Sequence, residues 1–178
     1  MIGIVLATVL QLIAGAKAQV GVTIHYDGAY RQLRYPGGDV PRDRGVCTDV
    51  VIRAFRNAGL DLQQLVHEDM QRNFAAYPQS WGLRRPDANI DHRRVPNLAT
   101  FFTRRGKKLA VTRKGADYKP GDIVTWRLPG GLPHIGIVSD VRVAHSDRYS
   151  VVHNIGAGAQ NEDVLFAYEL TGHYRWFG

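Results

Sequence analysis

Cys47, the only cysteine of the chain, and two histidines, His134 and His153, are the residues whose types and settings point most directly to chemistry. A thiol beside an imidazole suits nucleophilic acyl transfer, in which the ring takes the proton and the sulfur attacks a carbonyl. A free thiol titrates near about 8.5, and the positive end of a helix or a nearby imidazole favours its thiolate. Cys47 follows a turn-rich stretch and opens the amphipathic run Thr48 to Ala58. Backbone N–H groups at such a helix start are uncommitted and suited to holding an oxyanion. His134 heads an apolar strand after the turn Gly130-Gly131-Leu132-Pro133, where it can face a cleft mouth. His153, in Val151-Val152-His153-Asn154, belongs to the next expected strand and can fix the first ring's tautomer, as the third member of a triad does. Asn154 points to the other face of that strand and is retained as a substrate contact. Taken singly these signals are weak, because a free cysteine is usually a small buried hydrophobe. Their order and context carry the reading.

The elements that must position them follow from periodicity. Val50, Val51, Ala54, Phe55 and Ala58 recur at helical spacing, and Gly59 supplies a stop. A second helix is expected over Leu62 to Phe74, a loop over Tyr77 to Asp91, and a short helix over Asn97 to Arg105. Residues 26–35 read as a strand or a short helix. Strands are expected at Ile123–Arg127, His134–Ser139 and Arg148–His153, with one or two more in Leu165–Tyr168 and His173–Phe177. Helices first and an antiparallel sheet afterwards define an α+β domain.

The segment between the helices and the sheet is rich in polar groups. His67, Asp91 and His92 match no recognised metal-ligand spacing, so no metal and no cofactor are expected. The loop Asn89 to Arg94 is expected to border the cleft, where Arg93 or Arg94 grips a substrate carboxylate with two parallel hydrogen bonds. The alternative is that these arginines tie the loop to the core.

A length of 178 residues, 44% hydrophobic and 22% charged, fits one globular domain. One cysteine excludes an internal disulfide. Residues 1–18 read as a signal peptide, with an apolar run from Ile2 to Ala14 and a small-x-small ending at Ala16-Lys17-Ala18. The expectation is cleavage after Ala18, a mature domain over residues 19–178, and a periplasmic or secreted monomer; an uncleaved apolar anchor is the alternative. Nothing later is apolar enough to span a membrane, so no stable insertion is expected. The formal charge of +7 falls to +6 once Lys17 is removed, leaving 22 basic against 16 acidic residues. The basic groups are not interleaved with aromatic stacking platforms, so a nucleic-acid partner is not expected.

Tyr35-Pro36-Gly37-Gly38, the helix-opening Cys47, Gly121-Asp122-Ile123-Val124, His134-Ile135-Gly136-Ile137-Val138 and Val152-His153 together resemble the NlpC-type cell-wall peptidases. Almost the whole chain is also similar to a bacterial family catalogued as domain of unknown function 1287. That likeness runs through Gly45-Val46-Cys47-Thr48-Asp49, Asn89-Ile90-Asp91-His92-Arg93-Arg94, His134 to Asp140, and Val152-His153-Asn154-Ile155-Gly156. The resemblance implies a papain-like fold, Cys47 as nucleophile, His134 as base, His153 as orienting residue, and Tyr35 as a tyrosine approaching the thiol. It also implies hydrolysis of amide bonds in peptidoglycan stem peptides. The usual Asp-Cys-Ser-Gly is Val46-Cys47-Thr48-Asp49 here, which bears on specificity more than on chemistry. A non-catalytic cell-wall-binding module on the same fold is the competing expectation.

Overall fold

Helices occupy the first part of the chain and strands the second, as the periodicity requires. The computed structural model describes residues 8–178. The helices are α1 (Val9–Lys17), α2 (Cys47–Asn57), α3 (Leu62–Asn73) and α4 (Val95–Arg105). Two short strands, β1 (His25–Tyr26) and β2 (Arg44–Gly45), pair in parallel. The remaining strands are β3 (Lys107–Lys108), β4 (Ile123–Arg127), β5 (Pro133–Arg142), β6 (Tyr149–Asn154), β7 (Ala159–Glu162) and β8 (Glu169–Arg175). They form one antiparallel six-stranded sheet in the order β3-β8-β4-β5-β6-β7. The chain is therefore a mixed α+β protein.

Strand alternation divides the sheet into two faces with different duties. Ile123, Ile135, Ile137 and Val152 pack with Val50, Val51, Phe55, Leu98 and Phe102 in the core beneath the helices. Val124, Trp126, Val138 and Val151 face the other way and pack with Tyr118 and Leu165. By the same alternation His134 and His153 belong to this second face. Gly136 lies between them: a Cβ there would stand 2.8 Å from Val151 Cγ1 and 3.2 Å from His153 Cβ, so only glycine lets the strands approach here.

Leu165–Tyr168, expected as a strand, is instead a turn segment. It caps the second face through the fully buried Leu165, whose carbonyl accepts the Trp126 indole N–H at 3.0 Å. The strand that completes the sheet is β7, whose sequence Ala-Gln-Asn-Glu has no β-branched residue and gave no periodic signal. Residues 26–35 are largely irregular beyond β1.

The expected leader falls partly among the described residues. Residues 1–7 lie outside the described residues, but α1 is built into the domain. Leu12, Ile13 and Ala16 are buried, Leu12 and Ala16 in the helical core. Gln19 donates to the Val50 carbonyl at 2.9 Å, and Lys17 pairs with Asp140 at 2.8 Å. The described part of the expected leader thus forms a helix packed on the domain. No described helix is long and apolar enough to cross a membrane.

A chain beginning at Gln19 loses the burial of Leu12 and Ile13, about 1.5–3 kcal/mol for each side chain. Its urea midpoint is expected to fall well below that of the full chain. An unchanged midpoint would mean that α1 is not part of the cooperative core.

Candidate active site

The site is built around the first turn of α2. Asp49 reaches back to accept the Val46 N–H at 2.7 Å, which stops the chain from continuing the helix towards its N-terminus. The same carboxylate takes two hydrogen bonds from Arg93, at 2.9 and 3.0 Å, with both side chains almost fully buried. Thr48 donates to the Arg93 carbonyl, and Asn154 donates to the Gly45 carbonyl at 3.1 Å. Cys47 therefore sits on a helix start fixed from three directions. It is 4% exposed, and the Ile135 N–H is directed at its sulfur.

Ile135 directly follows His134, so the head of β5 and the thiol meet at this point. The His134 ring lies on Trp126, with centroids 5.5 Å apart and planes 28° from parallel. Its Nε2 is 2.9 Å from His153 Nδ1, and His153 Nε2 is 2.9 Å from Glu162 Oε2. A carboxylate only accepts, so His153 carries its proton on Nε2 and offers the Nδ1 lone pair. His134 then carries its proton on Nε2 and keeps a bare Nδ1. That atom takes no hydrogen bond from any described residue, and Cys47 and His134 are not hydrogen-bonded to each other.

Burial sets the protonation of both partners. It pushes the Cys47 thiol up to about 12, helped by the neighbouring Asp49 charge and opposed by the Ile135 amide. Burial likewise drives His134 down to about 3 and lowers His153, the latter partly offset by Glu162. The resting state is a neutral thiol and neutral imidazoles, not a thiolate–imidazolium pair.

A cleft of about 220 Å³ opens beside Cys47, between Tyr26, Trp81, Arg94, Val95 and Pro133. The other expected site residues distribute unevenly around it. Tyr35 is away from the cleft, with its ring edge against His67 at 5.1 Å; the tyrosine beside the thiol is Tyr26. Burial, with the nearby Cys47 and Asp49, raises the Tyr26 hydroxyl above its usual range. Arg93 borders the cleft, and its guanidinium is committed to Asp49 and to the Ala29 and Asp27 carbonyls, so it ties the loop to the core. Asn154 is fully buried on the helix-facing side, with its amide spent on Gly45 and Gly156. Arg94 remains in the cleft wall.

Glu162 and Trp126 were not singled out from the sequence. Glu162 sits in a strand without a strand signature, and Trp126 reads as ordinary core until its register partner is known to be His134. Among the described residues no group of three or more His, Cys, Asp or Glu side chains is arranged to hold a metal ion.

Fold and site together define an α+β protein with a helix-opening buried thiol and a buried His–His–Glu chain. The chain belongs to the family described as Domain of unknown function (DUF1287), whose model matches residues 13–176. It is 60% identical over 170 residues to an uncharacterized protein, YijF, of Escherichia coli (strain K12), covering 96% of this chain and 82% of that protein.

Because burial raises the thiol, Cys47 in the folded protein is expected to react with iodoacetamide more slowly than free cysteine at pH 7. The rate should climb only through the alkaline range, and unfolding in urea should restore ordinary reactivity. A plateau already reached below pH 7 would show a resting thiolate and contradict the neutral pair.

Proposed function

We propose that this protein is a papain-like cysteine hydrolase of the NlpC type that cleaves amide bonds, with peptidoglycan stem peptides as substrate. The observation that carries the reading is the Glu162–His153–His134 chain. It leaves a bare Nδ1 on the residue adjoining Ile135, whose amide faces the Cys47 sulfur at a helix start.

In this reading His134 acts as a general base at the moment of attack. As the Cys47 sulfur bonds to the carbonyl carbon, the thiol proton moves to His134 Nδ1. The oxyanion is held by backbone N–H groups at the start of α2. Collapse breaks the C–N bond, and the leaving amine takes the proton back from Nδ1. Water then attacks the thioester with Nδ1 again accepting a proton. The carboxylic acid departs as the proton returns to sulfur. His153 and Glu162 do not touch substrate; they hold the ring and stabilise the imidazolium formed transiently. Trp126 shields their hydrogen bonds from water on one side. A neutral resting pair is consistent with this order of events, because His134 stays unprotonated, and so available as a base, across the neutral range.

Action outside the cytoplasm is part of the same proposal and rests on the resemblance. The depth of Cys47 favours one second reading, a cell-wall-binding module that keeps the site without turning over.

Mass spectrometry of muropeptides incubated with the full chain separates the two. The expected result is cleavage of one amide bond with gain of one water. Cys47→Ala should lose it, His134→Ala should lose about 10²–10⁴-fold in rate, and Glu162→Gln less. Cleavage that persists undiminished in Cys47→Ala would sink the hydrolase reading. Retention on insoluble peptidoglycan without cleavage would favour the binding module.

A further inference from the structure

Arg94 and Trp81 form a second feature of the cleft that the acyl-transfer machinery does not use. The Arg94 guanidinium carbon lies 4.1 Å over the Trp81 ring centre. One of its nitrogens, Nη1, donates to Asp91 at 3.3 Å. Nε and Nη2 make no hydrogen bond to any described residue, and neither is an enclosed orphan atom. The side chain is 18% exposed, so these two donors meet solvent at the cleft wall. Its neighbour Arg93 is neutralised by Asp49, which leaves Arg94 as the cationic group of this wall with unspent donors.

A guanidinium held over an indole has lost part of its freedom before any ligand arrives, and its open edge matches the two oxygens of a carboxylate. The remaining wall, Ile90, Val95, Pro96 and Pro133, is apolar and has no competing charge. Asp91, the nearest acid, is held by Arg94 and by the Asp87 N–H at 2.5 Å, so its oxygens are turned away from a second role.

We propose that the cleft beside Cys47 is a carboxylate-recognition subsite, in which Arg94 stacked on Trp81 takes an acidic side chain or α-carboxylate of a peptide. The placement of this subsite next to the scissile bond rests on the hydrolase reading; the recognition itself does not. A peptide bound this way carries its carboxylate on Arg94 Nε and Nη2 and its aliphatic part against Val95 and Pro96. Arg94 sets which peptide is accepted and takes no part in proton transfer.

The test uses the full chain carrying Cys47→Ala, so that binding is read without turnover. Two blocked dipeptides serve as probes, acetyl-Ala-Glu-amide and acetyl-Ala-Gln-amide, which differ only in carboxylate against carboxamide. Binding is followed by the NMR shift of the Arg94 Nε–Hε group and by indole fluorescence, with Trp81→Phe assigning the latter. The Glu probe is expected to bind about tenfold or more tightly than the Gln probe, as a charge-assisted pair outweighs a neutral one. Arg94→Gln should erase that preference in protein that still unfolds cooperatively, with a lowered midpoint because Asp91 loses its partner. Equal affinity for the two probes, a preference that survives Arg94→Gln, or no binding of either probe at 10 mM (about the weakest affinity of use to a peptide subsite) would each overturn the proposal. A preference for Glu in a protein that cleaves nothing would leave the subsite standing and remove only the hydrolase reading.

Discussion

The buried pair of Asp49 and Arg93 is the constraint on which the rest of the site depends. Asp49 is both the acceptor that ends α2 at its N-terminus and, among the described residues, the sole carboxylate facing Arg93. Arg93 in turn holds the carbonyls of Asp27 and Ala29, and its own carbonyl accepts Thr48. Three stretches of chain that are far apart in sequence are thus fixed within one turn of Cys47. Removing one member of a buried ion pair typically costs about 3–5 kcal/mol, because the other is left charged and unpaired. The gain is positional: the thiol, the Tyr26 ring and the cleft wall cannot shift independently.

The sheet is the second organiser, because its two faces divide the work. The helix-facing side carries aliphatic core and brings the Ile135 amide to the sulfur. The other side buries the paired histidines against Trp126 and leads out to Glu162, whose side chain is 48% exposed. A polar chain inside an apolar layer is tolerated only when each member is satisfied, and here direction is imposed by the one group that can only accept. Burial disfavours charge on both Cys47 and His134, which is the protonation state that the proposed general-base reading requires at rest.

How far this was legible in the sequence depended on whether the signal was local. The helix at Cys47 and the strands bearing His134 and His153 follow from apolar spacing that survives folding intact, and β4 falls at Ile123–Arg127 as expected. Glu162 was invisible because its contact is made through the β6–β7 register, in which Val151 is opposite Glu162 and His153 opposite Gln160. Arg93 and Arg94 are adjacent and chemically identical, yet one is consumed by a helix-capping acid and the other left open, a distinction that exists only in three dimensions. Tyr26 and Tyr35 pose the same problem, because both sit in irregular chain with no period to orient them. Residues 9–17 are ambiguous for the opposite reason: a short apolar run has the same composition whether it is removed as a leader or packed on a neighbouring helix.

The central claim is the directed chain that leaves His134 Nδ1 unprotonated. Long-range nitrogen–proton NMR of the imidazole rings at neutral pH reads it without assuming any substrate. His134 and His153 are expected both to be neutral and both to be protonated on Nε2, with His134 Nδ1 bare. A His134 ring protonated on Nδ1, or charged at rest, would contradict it.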